Sequence, residues 1–353
     1  MTTKQRAKRR QQPDHPLPVI RDGYTRGVHR TSIEWADFAV NPIRARDPIS
    51  GKTGWACTKV SDGCTNCYAE SLNRRFGTGL AFSAQNERLV EWVLDRGVIR
   101  HMLRFRPRGP FRRPGSRPIV FIGDMTDLFH ERVPAKWLLT LWAAFAFRPD
   151  IDWVILTKRP ERMVKFLAPE SLNVVTLGTA AREVLGRRYI LDANTESVVD
   201  EFCGHGGVLP NVWLGTSVES AKHLDRLDYV SECDAAVRVV SFEPLLGDVA
   251  RALPQHLTRL LAIGRSTWII VGGESGASAR GTNLSNILSL AKACDDPRAS
   301  VFIKQIGSRP YCADGWLDGR WATPADGERL RVAGKGAEME SWPMELRRRE
   351  WPR

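Results

Sequence analysis

From Pro118 onward the chain repeats one pattern: a short β-branched or aromatic run, a polar turn, then a stretch with helical spacing. The runs are 118–122 ahead of Gly123-Asp124, 152–156 ahead of Thr157-Lys158, and 211–214 ahead of Gly215-Thr216. They continue with 237–240 ahead of Ser241-Phe242-Glu243, 268–271 ahead of Gly272-Gly273-Glu274, and 300–303 ahead of Lys304-Gln305. Each is apolar almost throughout instead of alternating, as in strands covered on both faces. Strands joined by helices imply right-handed crossovers and a parallel sheet. The pattern therefore predicts an α/β fold: a full or partial TIM-type (β/α) barrel of parallel strands, with one more strand upstream. A doubly wound open sheet is the competing arrangement.

The polar residues favour the barrel, because nearly every run ends in a carboxylate, hydroxyl, amide or lysine, and parallel barrels build their sites on that rim. Asp124, Asp127, Lys158, Ser217, Glu219, Glu243, Glu274, Lys304 and Gln305 would converge there from separate strands. Residues 168–209 interrupt the period and predict a helix and loop inserted between strands. Residues 1–18 are basic and proline-punctuated, which predicts a disordered tail. The barrel body would span 19–310. Residues 311–353, rich in Trp, Gly, Asp and Arg, read as an irregular C-terminal extension packed on the barrel or over its mouth.

Composition narrows the function classes. The chain has 353 residues, 42% of them hydrophobic, enough for a folded core. No apolar run approaches the roughly 18 residues of a membrane span, so no membrane partner is expected. Seven cysteines form an odd set, with Cys203, Cys233, Cys294 and Cys312 scattered singly, and no secretory pattern opens the sequence; the expected location is cytoplasmic. A net charge of +12 suits a polyanionic partner such as nucleic acid, although a solvated basic surface has the same charge.

The remaining cysteines are grouped as Cys57-x6-Cys64-x2-Cys67, followed by what reads as a helix start at Tyr68-Ala69-Glu70. A structural zinc normally takes four protein ligands, whereas a cubane held by three thiolates leaves one iron open. The predicted cofactor is a [4Fe–4S] cluster with S-adenosylmethionine (SAM) on the open iron. Nearby Lys59 and the helix N-terminus would favour thiolates. Zinc, with His130 or a distant cysteine as fourth ligand, and plain buried cysteines are the alternatives.

The segments Ser32-Ile33-Glu34-Trp35, Asn41-Pro42 and Cys57 to Glu70 resemble the opening signature of the bacteriophage gp thirty-seven / gp sixty-eight family, a three-cysteine-motif domain of unknown function. Similar blocks follow at 123–129, 156–162, 211–219, 241–247, 272–276 and Lys304-Gln305, so the similarity spans roughly 31–353. The resemblance implies a radical-SAM-like barrel, occurrence in phages and prophages, and a neighbouring three-cysteine-motif partner protein. Here Arg44 to Ala56 are extra residues before the first cysteine, a candidate substrate contact. Cys57-x6-Cys64 also departs from the usual C-x3-C of radical SAM enzymes, and the aromatic Tyr68 follows the third cysteine.

On this reading Cys57, Cys64 and Cys67 hold metal, while Ser217, Glu219, Gly272, Gly273 and Glu274 bind the cofactor. Asp124, Lys158 and Glu243 are the catalytic candidates. Arg159 would hold an anionic part of a nucleic-acid or nucleotide substrate, and Trp35, Tyr68 and Phe129 would stack on a base. A metal-dependent nuclease or hydrolase using Asp124, Asp127 and Glu243, and a non-catalytic nucleic-acid-binding module with structural zinc, are the competing functions.

Overall fold

All six apolar runs are strands of one sheet. A computed structural model of the chain describes residues 27–185, 200, 202, 204–205, 207–262, 266–312, 332 and 334–352. The expected tail at 1–18, the middle of the 168–209 insertion and residues 313–331 of the extension lie outside the described residues. In chain order the strands are β1 (His29–Arg30), β2 (Phe38–Val40), β3 (Ile43–Arg46), β4 (Thr53–Gly54), β5 (Glu91–Leu94), β6 (Ile119–Ile122), β7 (Asp152–Thr157), β8 (Val212–Ser217), β9 (Val237–Phe242), β10 (Ser266–Gly272), β11 (Thr282–Asn283), β12 (Ala299–Gln305) and β13 (Pro310–Tyr311). The helices are α1 (Tyr68–Phe76), α2 (Arg96–Arg104), α3 (Ala135–Ala146), α4 (Pro160–Leu167), α5 (Val174–Leu185), α6 (Arg226–Glu232), α7 (Pro254–Leu261) and α8 (Leu284–Ala293).

The main sheet has eight strands in the order β1-β2-β6-β7-β8-β9-β10-β12. Every pairing in it is parallel except β1 with β2. From β2 onward the strands follow chain order with no reversal, so the doubly wound arrangement, which needs a switch point, is not formed. A full barrel is not formed either: β12 and β1 do not pair among the described residues. The C-terminal segment covers the β12 edge instead. Phe302 bridges Arg349, the Ile303 amide donates to Arg348 O at 2.8 Å, and the Glu350 amide donates to Val301 O at 2.9 Å.

Side chains alternate across these strands. On one face Val120, Ile155, Leu214, Val240, Ile269 and Val301 pack under Leu138, Leu141, Leu260 and Ile287 of the helices. On the other face Phe121, Trp213, Trp268 and Phe302 meet Trp35, with Trp351 packed against them. Trp268 is the hub, its ring centroid 5.8 Å from Trp35, 5.9 Å from Trp213, 5.8 Å from Phe302 and 5.5 Å from Trp351. The first three are edge-to-face pairs at ordinary spacing, and Trp351 lies tilted by 35° against Trp268.

The extra residues 44–56 form a hairpin: β4 and β5 flank β3 in a small antiparallel sheet, with Ile49 almost fully exposed near the β3–β4 turn. Helix α2 follows this sheet. Asp95 caps it by accepting from the Gly97 and Val98 amides at 2.9 and 3.1 Å, and Val98, Ile99 and Met102 are buried along its inner face. Among the described residues no helix is long and apolar enough to cross a membrane.

Candidate functional site

The cysteine loop lies across the C-terminal ends of the parallel strands. It begins after β4, makes a single turn over Asp62–Cys64 and enters α1 at Tyr68. Polar contacts fasten it along its length. Thr58 Oγ1 accepts from Arg159 Nη2 at 2.6 Å and lies 3.0 Å from His130 Nε2. Ser61 Oγ donates to Glu219 Oε1 at 2.9 Å, and Asn66 Nδ2 donates to Glu274 Oε2 at 3.0 Å. Arg280 Nη1 donates to Asp62 O at 3.0 Å, and Tyr68 OH donates to Asp124 O at 2.7 Å. Gly63 is required at its place, because a Cβ there would fall 2.3 Å from Glu219 Cγ.

The strand-edge carboxylates are paired. Glu219, fully buried, sits 3.1 Å from Lys158 Nζ and 3.0 Å from Arg226 Nη1. Burial pushes its carboxyl up, but the two cations win and hold it below the usual range. Lys158 shows the mirror effect: burial opposes its charge, yet Glu219, with Cys64 and Cys67 behind it, keeps the ammonium above its ordinary value. Glu243 accepts from Lys304 Nζ at 2.8 Å and lies 3.4 Å from Ser241 Oγ. Against burial, hydrogen bonds from the Arg280 side chain and amide and from Asn66 hold Glu274 low; its Oε1 lies 2.7 Å from Arg280 Nη2.

Asp127 accepts from Thr157 Oγ1 at 2.7 Å, from Arg159 Nη1 at 3.0 Å and from the Phe129 and Lys158 amides, so it is saturated and positions the β7 edge. Asp124 accepts from Asn41 Nδ2 at 2.6 Å, while burial raises its carboxyl. Ser217, at the end of β8, gives its carbonyl to Arg226 Nη1 at 2.7 Å. The two glycines expected to admit a cofactor are approached by the protein itself: a Cβ at Gly272 would meet Glu243 Oε1 at 2.6 Å, and one at Gly273 would meet Thr282 Oγ1 at 2.3 Å. Gln305 Nε2 donates to Gly273 O at 2.7 Å.

Cys57, Cys64 and Cys67 are unbridged and half-buried. Burial, then the Asp127 carboxylate, pushes the Cys57 thiol up to about 12, and burial raises Cys67 as well. The expected help from Lys59 is spent elsewhere, 3.2 Å from Glu70 Oε2. Among the described residues no three His, Cys, Asp or Glu side chains converge as a metal-ligating group. His130 is committed too. Its Nδ1 accepts from the Arg132 amide at 3.1 Å, its Nε2 faces Thr58 and Glu87, and its ring stacks on Trp92 at 4.6 Å.

Of the proposed stacking aromatics, Trp35 and Phe129 are core residues; Tyr68 is 51% exposed, and Leu72 and Phe76 continue its face along α1. Cys233, Cys294 and Cys312 are buried. Thr58, Ser61, Asn66, Arg226 and Arg280 line the candidate site, and no role for any of them was legible in the sequence; Asn41 was noted only in the opening signature. Arg226 and Arg280 lie seven and six residues after their carboxylates, across loop backbone with no helical or strand period that would have paired them.

A family model described as a protein of unknown function (DUF5131) matches residues 30–336. No curated protein matches the chain, and no solved structure does. The chain belongs to the DUF5131 family.

Proposed function

We propose that this member of the family is an iron–sulfur enzyme of the radical-SAM type, acting on a nucleic acid or nucleotide-related substrate at the strand edge under the cysteine loop. The observation that carries the reading is the docking of three unbridged thiols over Glu219, Glu274 and Lys158. The residues fit a cluster by donor chemistry and place: the thiols share one loop, and His130, which a fourth zinc position would use, has both nitrogens engaged. Their sulfurs do not form a ligand group among the described residues, and burial pushes the Cys57 and Cys67 thiols up, so Cys57, Cys64 and Cys67 would hold a cluster only with loss of their protons. When bound, such a cluster would supply the single electron that reductive cleavage of SAM needs.

The chain's own residues take the remaining tasks. Lys158, fixed by Glu219, would offset the negative charge that the thiols gain on binding metal. Glu243 and Lys304 form an ion pair still partly open to solvent, available to orient a zwitterionic cosubstrate. Tyr68, Leu72 and Phe76 offer a face on which bases can stack. We read the sheet as a partial barrel of the TIM type, the site as its rim, and the setting as a reducing cytoplasm where free thiols persist. The resemblance to the bacteriophage gp thirty-seven / gp sixty-eight family would place the enzyme in phages or prophages, beside a three-cysteine-motif partner protein.

Anaerobic purification with iron, sulfide and zinc analysis tests this. About four irons and four sulfides per chain, lost in the Cys57, Cys64, Cys67→Ala variant, are expected. One zinc without sulfide would sink the radical reading.

A further inference from the structure

Between Arg96 and Gly123 the sequence holds no acidic residue, and eight arginines fall between positions 96 and 117. Three of them serve the fold: Arg112 donates to Ala36 O at 2.8 Å, and Arg113 and Arg117 reach Asp152 at 2.8 and 2.7 Å. The other five, Arg96, Arg100, Arg104, Arg106 and Arg108, are exposed and make no ion pair or side-chain hydrogen bond among the described residues. Scattered exposed cations elsewhere are in part paired, as Arg298 is with Asp296 at 2.7 Å and Lys165 with Glu161 at 2.6 Å, and in part single, as Lys136 and Lys292 are; five unpaired arginines on one continuous stretch set this segment apart.

Arg96, Arg100 and Arg104 follow one another at four-residue spacing, about 6 Å apart along one face of α2. Like charges so placed repel by a few tenths of a kcal/mol per pair. The helix tolerates this because its opposite face is buried and its start is capped. The segment after α2 is held as well, with Arg30 Nη1 donating to Pro110 O at 3.1 Å and its Nη2 to Arg108 O. The ladder has a direction. The Asp95 amide donates to Pro42 O at 2.7 Å, just past the β2 end where the site lies; Phe105 packs on Phe38, at the opposite end of β2, with centroids 4.9 Å apart.

We propose that Arg96, Arg100, Arg104, Arg106 and Arg108 form a phosphate-binding track that holds the backbone of a nucleic acid along α2 and leads it to the strand edge. The inference rests on the reading above for its substrate class and specifies how that substrate is held. A membrane surface is the poorer match, because no large apolar side chain is exposed between residues 96 and 117 to enter a bilayer.

The test is fluorescence anisotropy with a labelled mixed-sequence single strand and its duplex, over a range of salt concentrations. Replacing Arg96, Arg100, Arg104 and Arg106 by Ala should weaken binding about tenfold or more and lower the salt slope by about one per arginine. A Lys136, Lys165, Lys292→Ala control should bind as the wild type does, and thermal melts should show both variants folded. Unchanged affinity and slope in the arginine variant, or an equal loss in the control, would overturn the track, as would capture by phosphatidylserine vesicles with no oligonucleotide binding. The arginine variant is expected to keep the iron and sulfide content of the wild type, so a failed cluster assay and a failed track give different results.

Discussion

Two ends of the same strands carry opposite chemistry. Toward their starts, the face away from the helices is an aromatic layer of Phe121, Trp213, Trp268 and Phe302 with Trp35 and Trp351. At their C-terminal ends the chain places Lys158, Glu219, Glu243, Glu274 and Lys304 in ion pairs. The first layer gains its free energy from area removed from water and from ring geometry, with no directional partner to satisfy. The second must balance each desolvated charge with an opposite one, which makes it costly to break and a poor source of net stability. Stability and chemistry are thus separated along the strand direction, and the hydrogen bonds of the cysteine loop to Glu219 and Glu274 fall on the second layer.

The comparison can be broken most strongly at its hub. Trp268→Ala should cost about 4 kcal/mol in urea denaturation, since no neighbour can fill the volume of an indole. Iron and sulfide content of the folded fraction should be unchanged; loss of both would mean that the layers are not independent. Glu219→Gln comes next, at about 3 kcal/mol, because Lys158 and Arg226 keep their charge without a carboxylate. Here hydrogen exchange should quicken across residues 58–67, a response that Trp268→Ala should lack.

The smallest effect is a titration. Burial, then the Arg159 guanidinium, pushes His130 down to about 4 from an ordinary value of 6.5. The unfolded chain therefore binds the extra proton first, so this contribution is complete above pH 6.5 and lost as pH falls toward 4. Between pH 6.5 and 5 the wild type should lose about 2 kcal/mol from this group. His130→Gln should flatten that slope, while Trp268→Ala should lower the whole curve and leave its shape alone.

The six parallel strands were legible because strands covered on both faces must be apolar almost throughout, and their polar ends all fall at the C-terminal edge of the sheet. The pairing at that edge was not legible. Glu219 meets Arg226 seven residues on, across a loop, and Glu274 meets Asn66 across more than half the chain. Such partners are chosen by the fold and leave no spacing to read. The hairpin at β3 and β4 was missed because its strands are short, and Trp35 and Phe129 looked like ligand-stacking aromatics when the core had already claimed them. Closure of the barrel failed for a related reason: nothing in an apolar run says whether its last neighbour will be a strand or a tail.

That tail has a consequence for how the protein can be made. With Phe302 bridged to Arg349 and Trp351 packed on Trp268, the aromatic layer stays incomplete until residue 351 has left the ribosome. A nascent or truncated chain that stops short of the bridge carries an exposed apolar edge on β12, the kind of surface that recruits other strands. Completion of this layer therefore waits for residues 349–351, and a chaperone that holds the chain until then would be protecting that edge.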